Sequence, residues 1–348
     1  MRQCELVVLV AVVVLSLISV PGHADTFGVP IPYATIQDGI DAASEGDTVL
    51  VAPGTYTGTG SGDRMNLHGV NMVVMSETGA LDTIVDCEGS GRGFRASSGE
   101  DSTSVIRGFT FTNGVNSGIL IGSGAAVIIE DCIISNNIGN NGGGIEYGYA
   151  ETPGVIRNCI FFGNAANHRA GGIMCDHGDP PDHVAPVIRD CIFYDNDATS
   201  SSYGGGAIFC NNSSPTIIGC TMVGNAGAPG AGGIHAVNCY PVVRRTVVAF
   251  STQGAGIYNV DADHCIIYGN AGDDALPHGE RENLDIDPLF CDIGSWDLTV
   301  CANSPCLPGA PENPWGEHLG AYDSGCGDCD SAVQESTWGA IKAMYLNP

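Results

Sequence analysis

The sequence predicts an all-β solenoid made of stacked coils. Three observations indicate this fold class: a short apolar phrase that recurs along the chain, glycine runs that alternate with it, and a composition of 50 glycines, 7% aromatic and 15% charged residues. The copies are spaced by roughly 20 to 32 residues, within the range of solenoid repeats. The chain is too rich in glycine for a helical protein and too apolar for a disordered one.

The clearest copy of the phrase runs from Ile188 to Asn196. Aligned on their cysteine position, the copies form a column of Gly108, Cys132, Cys159, Cys191, Cys220, Arg245 and Cys265. Three residues earlier stand Val105, Ile129, Ile156, Ile188, Ile217, Val242 and Ala262. Five residues later stand Asn113, Asn137, Asn164, Asn196, Asn225, Phe250 and Asn270. Parallel coils repeat at about 4.8 Å, so we expect each column to form a ladder. The thiols would be small core residues, and the asparagines would satisfy buried turn backbone.

Each phrase needs a tight bend. The isoleucine and the cysteine three residues later both point inward only if the strand bends between them, at positions such as Arg189 and Asp190. Residues that tolerate such bends stand just before the cysteines, namely Asp131, Asn158, Asp190 and Gly219. The glycine runs, such as Gly142 to Gly144, predict the other corners.

The two ends differ from the coils. Arg2 and the apolar run Leu6 to Val20 predict a signal peptide over residues 1–24, and therefore a secreted or cell-surface protein. We expect an N-terminal cap and first coil over 25–60, coils over 61–282, a C-terminal cap over 283–325, and a tail or linker remnant over 326–348. Apolar residues at helical spacing, Ile36, Ile40 and Ala43, predict a short capping helix.

Three segments carry a family resemblance: Thr35-Ile36-Gln37, Gly46-Asp47-Thr48-Val49 and Pro53-Gly54-Thr55-Tyr56. They resemble the opening of secreted bacterial right-handed parallel β-helix proteins of the pectin-lyase-like superfamily. The resemblance continues to about Pro308, and the stretch from Asn283 resembles the closing segment of such proteins. It implies a right-handed parallel β-helix with a short N-terminal capping helix and a C-terminal cap.

Cysteine usage fits an oxidising compartment. Loss of Cys4 with the signal peptide leaves an even number of cysteines. We expect disulfides in the C-terminal cap, among Cys291, Cys301, Cys306, Cys326 and Cys329, with a pairing that the spacing does not define. Cys175 and Cys210 follow successive glycine units, and either pair or remain free thiols.

The net charge of -27 limits the possible partners. The charge disfavours nucleic acid and anionic membranes as partners because phosphate contacts need Lys and Arg, and the only lysine is Lys342. The charge favours cations, especially calcium, and neutral or basic ligands.

The resemblance also implies a possible chemistry. Lyases of the superfamily use calcium-binding aspartates and a Lys or Arg base, and its hydrolases carry Gly-His-Gly and Arg-Ile-Lys strings that this sequence lacks. With Lys342 in the tail, only arginines remain as bases. Those inside the phrase, Arg107, Arg157, Arg189 and Arg244, are interpreted as coil-surface residues.

The longest insertion, Cys175 to His183, is the best site candidate. Its histidines, with Arg169 opposite, are candidate catalytic residues: Arg169, His177 and His183. Candidate metal ligands are Asp176, Asp179, Asp182, Asp195 and Asp197. The alternative is a solvated polar loop.

A second candidate surface is the column three residues after the cysteine. Its aromatic members, Phe111, Phe162, Tyr194 and Tyr268, would stack sugar rings if they face solvent. If the alternation is inverted, they belong to the core.

Two functions follow from these observations. The preferred one is a non-catalytic extracellular β-helix scaffold that binds a surface glycan, another polysaccharide or a partner protein. The alternative is a calcium-dependent polysaccharide lyase of the pectate or uronate type with an arginine base.

Overall fold

The computed structural model describes residues 24–58, 62–148, 153–176, 185–198, 203–272 and 282–329. Over these ranges the chain winds into coils that each add one strand to three long parallel sheets, here called sheets A, B and C. The predicted fold class, a right-handed parallel β-helix, is confirmed.

Sheet A has ten strands: Thr26–Val29, Thr48–Val51, Val73–Ser76, Val105–Arg107, Ile128–Glu130, Val155–Arg157, Val187–Arg189, Thr216–Ile218, Val242–Arg244 and Asp261–Asp263. Sheet B has nine: Gly54–Tyr56, Thr83–Asp86, Thr110–Thr112, Ile133–Ser135, Ile160–Phe162, Ile192–Tyr194, Thr221–Val223, Val247–Ala249 and Ile266–Tyr268. Sheet C has eight: Met65–Asn66, Phe94–Ala96, Ile119–Ile121, Ile145–Gly148, Ile173–Asp176, Ile208–Asn211, Ala226–Val237 and Gln253–Tyr258. A small sheet pairs Ile138–Gly139 with Ala165–Ala166.

From the coil of Val105–Arg107 to that of Asp261–Asp263, each corner between sheet A and sheet B contains one left-handed residue. It has a positive φ of 54° at Asp131, 53° at Asn158 and 55° at Asp190. These are the bends that the sequence predicts. Gly, Asn and Asp adopt this conformation at little cost, which explains why they occupy most of these corners.

The corner between sheets B and C carries the asparagine ladder. Asn137, Asn164, Asn196 and Asn225 are buried, and each bonds to the next. The side-chain Nδ2 of Asn164 donates to Oδ1 of Asn196 at 3.0 Å and to the carbonyl of Ile134 at 2.8 Å. The ladder thus joins successive coils and also bonds to carbonyls of the sheet B strands in the preceding coil.

The interior is filled by matching residues stacked along the axis. Phe161 and Phe193 stack with ring centroids 4.6 Å apart and an interplanar angle of 7°. The predicted thiol column is confirmed as buried free cysteines: Cys132, Cys159, Cys191, Cys220 and Cys265. Burial raises the pKa of the Cys265 thiol to about 12, so that this thiol is unreactive. Cys175 and Cys210 lie in register as free thiols rather than a disulfide.

Two degraded copies of the phrase have a register one residue away from the prediction. Phe111 lies opposite Ile134, which places Phe109 in the cysteine column and Gly108 at the bend. Phe111 is therefore fully buried, and the prediction that it faces solvent is wrong. A shift of one residue exchanges the two faces of a strand, which explains the error.

The second shifted copy lies near Arg245. Thr246 continues the cysteine column and Ser251 the asparagine column, whereas Arg245 and Phe250 are left-handed bend residues. By the same shifts, Ile106 and Val243 replace the predicted Val105 and Val242 as inward residues.

The N-terminal helix is Ile36–Ala42. Thr35 caps it, since the Thr35 hydroxyl accepts from the Asp38 N–H and the Asp38 carboxylate accepts from the Thr35 N–H. Ile36 and Ile40 are buried against the first coils. The predicted capping helix is confirmed.

The C-terminal cap lies against the outer face of sheet B. Its strands are Phe290–Asp292, Asp297–Cys301 and Ser324–Cys326, with a 3-10 turn at Ile293–Ser295. Two disulfides, Cys291–Cys326 and Cys301–Cys329, staple it, while Cys306 is free and buried. The predicted disulfides of the cap are confirmed, and the structure supplies their pairing, which the sequence did not define. The disulfide to Cys329 extends the cap four residues past the predicted boundary.

Several predictions fall outside the described residues. These are residues 1–23 of the signal peptide, 330–348 of the tail, and His177, Asp179, Asp182 and His183 of the insertion. Among the residues that are described, no helix combines the length and apolar character needed to cross a membrane.

Candidate functional site

The outer face of sheet C carries a column of large side chains. In each coil the residue after the buried isoleucine points outward, and parallel register stacks these residues along the axis. In chain order they are Glu146, Met174, Phe209, His235 and Tyr258. Sheet C thus has aromatic rings on its outside as well as apolar residues inside.

These rings contact one another. Phe209 and His235 meet edge to face at 5.4 Å, and so do His235 and Tyr258 at 5.0 Å. Tyr203 lies 6.2 Å from His235. Phe209 and His235 are nearly buried, whereas Tyr203 is 60% and Tyr258 44% exposed. The inner rings therefore support two exposed tyrosines.

A polar group lies beside the rings. Nη1 of Arg169 is 2.7 Å from Oδ2 of Asp176, and Nδ2 of Asn211 donates to Oδ1 of Asp176 at 3.0 Å. The Arg169 guanidinium also lies over the Phe209 ring, 5.5 Å from its centroid. Such a cation–π contact adds to the ion pair in orienting the guanidinium.

Four of these residues line a groove of about 480 Å³, and Asp176 and His235 contact the lining residues Arg169 and Phe209. The lining residues are Asn141, His168, Arg169, Tyr203, Phe209, Asn211 and Val237. The combination of aromatic rings with a few oriented hydrogen-bonding groups in a concave surface is typical of small-ligand and sugar sites. A second hollow, of about 550 Å³, lies beside the N-terminal helix, with Arg64 and Tyr56 in its wall.

His235 holds one wall of the groove together. Its Nδ1–H donates to the Gly204 carbonyl at 3.0 Å, which ties Tyr203, the next residue back, to sheet C. Burial lowers the pKa of His235 below its usual 6.5, and the bond to Gly204 only partly opposes this shift. The ring is accordingly neutral near pH 7.

Acidification should destabilise this wall. The folded chain binds the His235 proton less readily than the unfolded chain, so stability falls as the pH drops below about 6.5 toward the lowered folded pKa. His235→Phe should remove that part of the pH dependence. The urea midpoints of the wild type and the His235→Phe variant, measured between pH 7.5 and 5, test this prediction. If both midpoints fall by the same amount over this pH range, the prediction is wrong.

Two of the predicted site residues meet in the groove. Arg169 and Asp176 face each other there, although as an ion pair rather than as a base and a metal ligand. Their partner residues in the predicted insertion lie outside the described residues.

The two other predicted metal ligands that the structure describes, Asp195 and Asp197, do not line the groove. Asp195 occupies a left-handed corner, and burial together with nearby Asp197 raises its pKa. Within the described ranges, the group of three His, Cys, Asp or Glu residues whose ligand atoms lie within 4.8 Å of one another is Cys291, Cys301 and Cys326. No aspartate belongs to it.

The predicted aromatic surface on sheet B is largely covered. Phe162 and Tyr194 do point outward and stack at 5.1 Å. Trp296 of the C-terminal cap then lies on Tyr194 at 4.8 Å, and Tyr268 packs in the same cluster. The C-terminal cap therefore packs on Tyr194 and Tyr268 and closes this part of the surface to a sugar.

Three arginines of the phrase, Arg107, Arg157 and Arg189, are held by carboxylates. Arg107 and Arg157 both pair with Glu130, whose side chain is 3% exposed. Nη1 of Arg189 lies 2.8 Å from Oδ2 of Asp190. Each guanidinium is thereby fixed on the outer surface of sheet A, in agreement with the coil-surface interpretation.

Three parallel sheets, an asparagine ladder and an N-terminal capping helix define the class: this chain is a right-handed parallel β-helix. No protein-family model and no curated protein matches the sequence.

Among solved structures, the chain is similar to pectate lyase Pel9A, with 13% identity, a TM-score of 0.44, and 82% of this chain and 90% of that one covered. It is also similar to the PL6 family alginate lyase AlyGC, with 9% identity and a TM-score of 0.25 over 85% of this chain and 57% of that one.

Proposed function

We propose that this protein is an extracytoplasmic β-helix scaffold that binds a polysaccharide in the groove on sheet C without cleaving it. The observation that carries the proposal is the exposed Tyr203 in the groove beside the oriented Arg169–Asp176–Asn211 group, with exposed Tyr258 next to it across the His235 ring. Tyrosine faces stack on sugar rings, and the planar polar groups exchange hydrogen bonds with hydroxyls.

The charges favour a neutral polysaccharide over a polyuronate. Asp176 already neutralises Arg169, and the whole chain carries -27. A polyanion would approach against this field, whereas a neutral glycan would not.

The arginine pairing also supports binding rather than lysis. A guanidinium that removes a proton from a sugar must be free to turn toward that sugar. Arg107, Arg157 and Arg169 are each held by a carboxylate partner instead. None is poised to remove a proton from a sugar.

Tyr203→Ala should weaken glycan binding about tenfold, because a stacked aromatic anchor contributes more than 1 kcal/mol in typical interfaces. A glycan array identifies the best ligand, and calorimetry then compares the wild type with the variant. Tyr240→Ala is the matched control, since Tyr240 is 59% exposed and lines no part of the groove. Equal losses in both variants would contradict the assignment.

An activity assay tests the absence of cleavage. The chain, with calcium, is incubated with pectate, alginate and glycosaminoglycans, and unsaturated uronides are read by ultraviolet absorbance. We expect no product above a boiled control. Robust release that Arg169→Gln abolishes would overturn the proposal in favour of a lyase.

A further inference from the structure

Four cysteines of the C-terminal cap converge on one point. Cys291 lies in the first cap strand, Cys301 ends the second, Cys326 ends the third, and Cys329 follows three residues later. The second strand pairs antiparallel with the first and parallel with the third. Three adjacent strands thus bring the four side chains together.

The two disulfides lie against each other. Cys291 is bonded to Cys326, and Cys301 to Cys329. Sulfurs of different disulfides are also close: Sγ of Cys326 lies 3.6 Å from Sγ of Cys301 and 3.9 Å from Sγ of Cys329. Two independent disulfides do not require this proximity.

The spacing between the disulfides matches a tetrathiolate metal site. Zinc binds thiolates at about 2.3 Å in tetrahedral geometry, which places neighbouring sulfurs about 3.8 Å apart. The two distances between the disulfides already have this length. The segment Cys326-Gly327-Asp328-Cys329 has the C-x₂-C spacing common in zinc sites.

We propose that the reduced cap binds one zinc ion through Cys291, Cys301, Cys326 and Cys329. Each disulfide accepts two electrons and two protons from a dithiol, which closes into its own disulfide. Zinc then replaces the four thiol protons, which pass to solvent. The cap is therefore stapled in both redox states, by two disulfides or by one ion.

This cluster is more accessible to solvent than the free cysteines are. Cys326 is exposed and Cys329 is half-buried, so that a reductant and a metal ion reach them from solvent. Within the described ranges, the ten free cysteines, Cys306 among them, are all buried. Burial raises the pKa of Cys306 to about 12, which disfavours the thiolate that a metal needs.

Cobalt(II) is a spectroscopic probe for this site. The purified full chain is reduced with a phosphine. The phosphine is then removed under anaerobic conditions, and the protein is titrated with Co²⁺. We expect one equivalent to produce the visible absorption of tetrahedral cobalt thiolate, and Zn²⁺ to displace it. Oxidised chain should produce no such absorption.

Variants separate the site from other thiols. Cys329→Ser should abolish the tetrathiolate spectrum, and Cys306→Ser should leave it unchanged. Cys329→His retains a zinc ligand and should bind with a shifted spectrum, which guards against loss of binding through misfolding of the Ser variant. Circular dichroism verifies that the coils remain folded.

Two results would overturn the proposal. One is the absence of the cobalt spectrum in reduced wild type whose circular dichroism is unchanged. The other is an undiminished spectrum in Cys329→Ser. Neither result depends on glycan binding, so failure of this site and failure of the groove are distinguishable.

Discussion

Replacing Asn196 with alanine is expected to lower the free energy of unfolding by about 4 kcal/mol. The Asn196 side chain donates to the Phe161 carbonyl at 3.0 Å and to Oδ1 of Asn225 at 2.9 Å. Its Oδ1 accepts from the backbone and side-chain N–H groups of Asn164 at 3.2 and 3.0 Å. Alanine leaves these buried groups without partners, and each costs about 1–3 kcal/mol.

Urea denaturation followed by circular dichroism measures this loss. The matched control is Asn140→Ala, because Asn140 is exposed and its side chain accepts one long bond of 3.3 Å from Asn167. We expect the control to change stability by less than about 0.5 kcal/mol. If both variants unfold at the same urea concentration, the ladder is not the stabilising element that the contacts indicate.

Phe193→Ala is expected to cost about 4 kcal/mol. The ring is fully buried, stacks on Phe161 in the coil before it, and lies opposite Met222 in the coil after it. Truncation removes apolar contact and leaves a cavity that rigid neighbouring rungs are poorly able to fill.

Thermal and urea unfolding test this prediction beside two comparisons. Phe193→Leu retains much of the volume and should cost clearly less than the alanine variant. Tyr240→Ala removes an exposed ring and should be nearly neutral. A Phe193→Ala protein as stable as the wild type would show that the coils repack around the gap.

The columns of the strong repeats could be predicted because stacking imposes the same residue on successive rungs. The phrase from Ile188 to Asn196 has every feature that the fold needs: inward Ile188 and Cys191, a bend at Asp190 and a ladder asparagine. Weak copies lack those markers. At Arg245 and Phe250 the neighbouring coils impose left-handed bends on residue types that do not favour them. The residue types therefore do not indicate the register of this copy.

The sequence predicts only some of the residues of the groove. Arg169 and Asp176 were candidates because they flank an insertion, but the rings that complete the groove were missed. A signal did exist: the residue after the isoleucine of each glycine unit is Phe209 in one coil, His235 in the next and Tyr258 in the one after. That column lies outside the cysteine phrase, so the pattern of the phrase does not predict it. Tyr203 reaches the groove through a loop, and no periodicity marks it.

The row of buried thiols makes it possible to measure which coil of the solenoid opens first. Cys132, Cys159, Cys191 and Cys220 lie in four successive coils, and Cys265 follows after the coil in which Thr246 takes the place of a cysteine. Burial raises the pKa of Cys132, Cys159, Cys191 and Cys265. A thiol reagent therefore labels each cysteine only when its coil opens. In a chain whose coils contact only their neighbours, the order of labelling, mapped by mass spectrometry, reports whether unravelling starts at an end or in the middle.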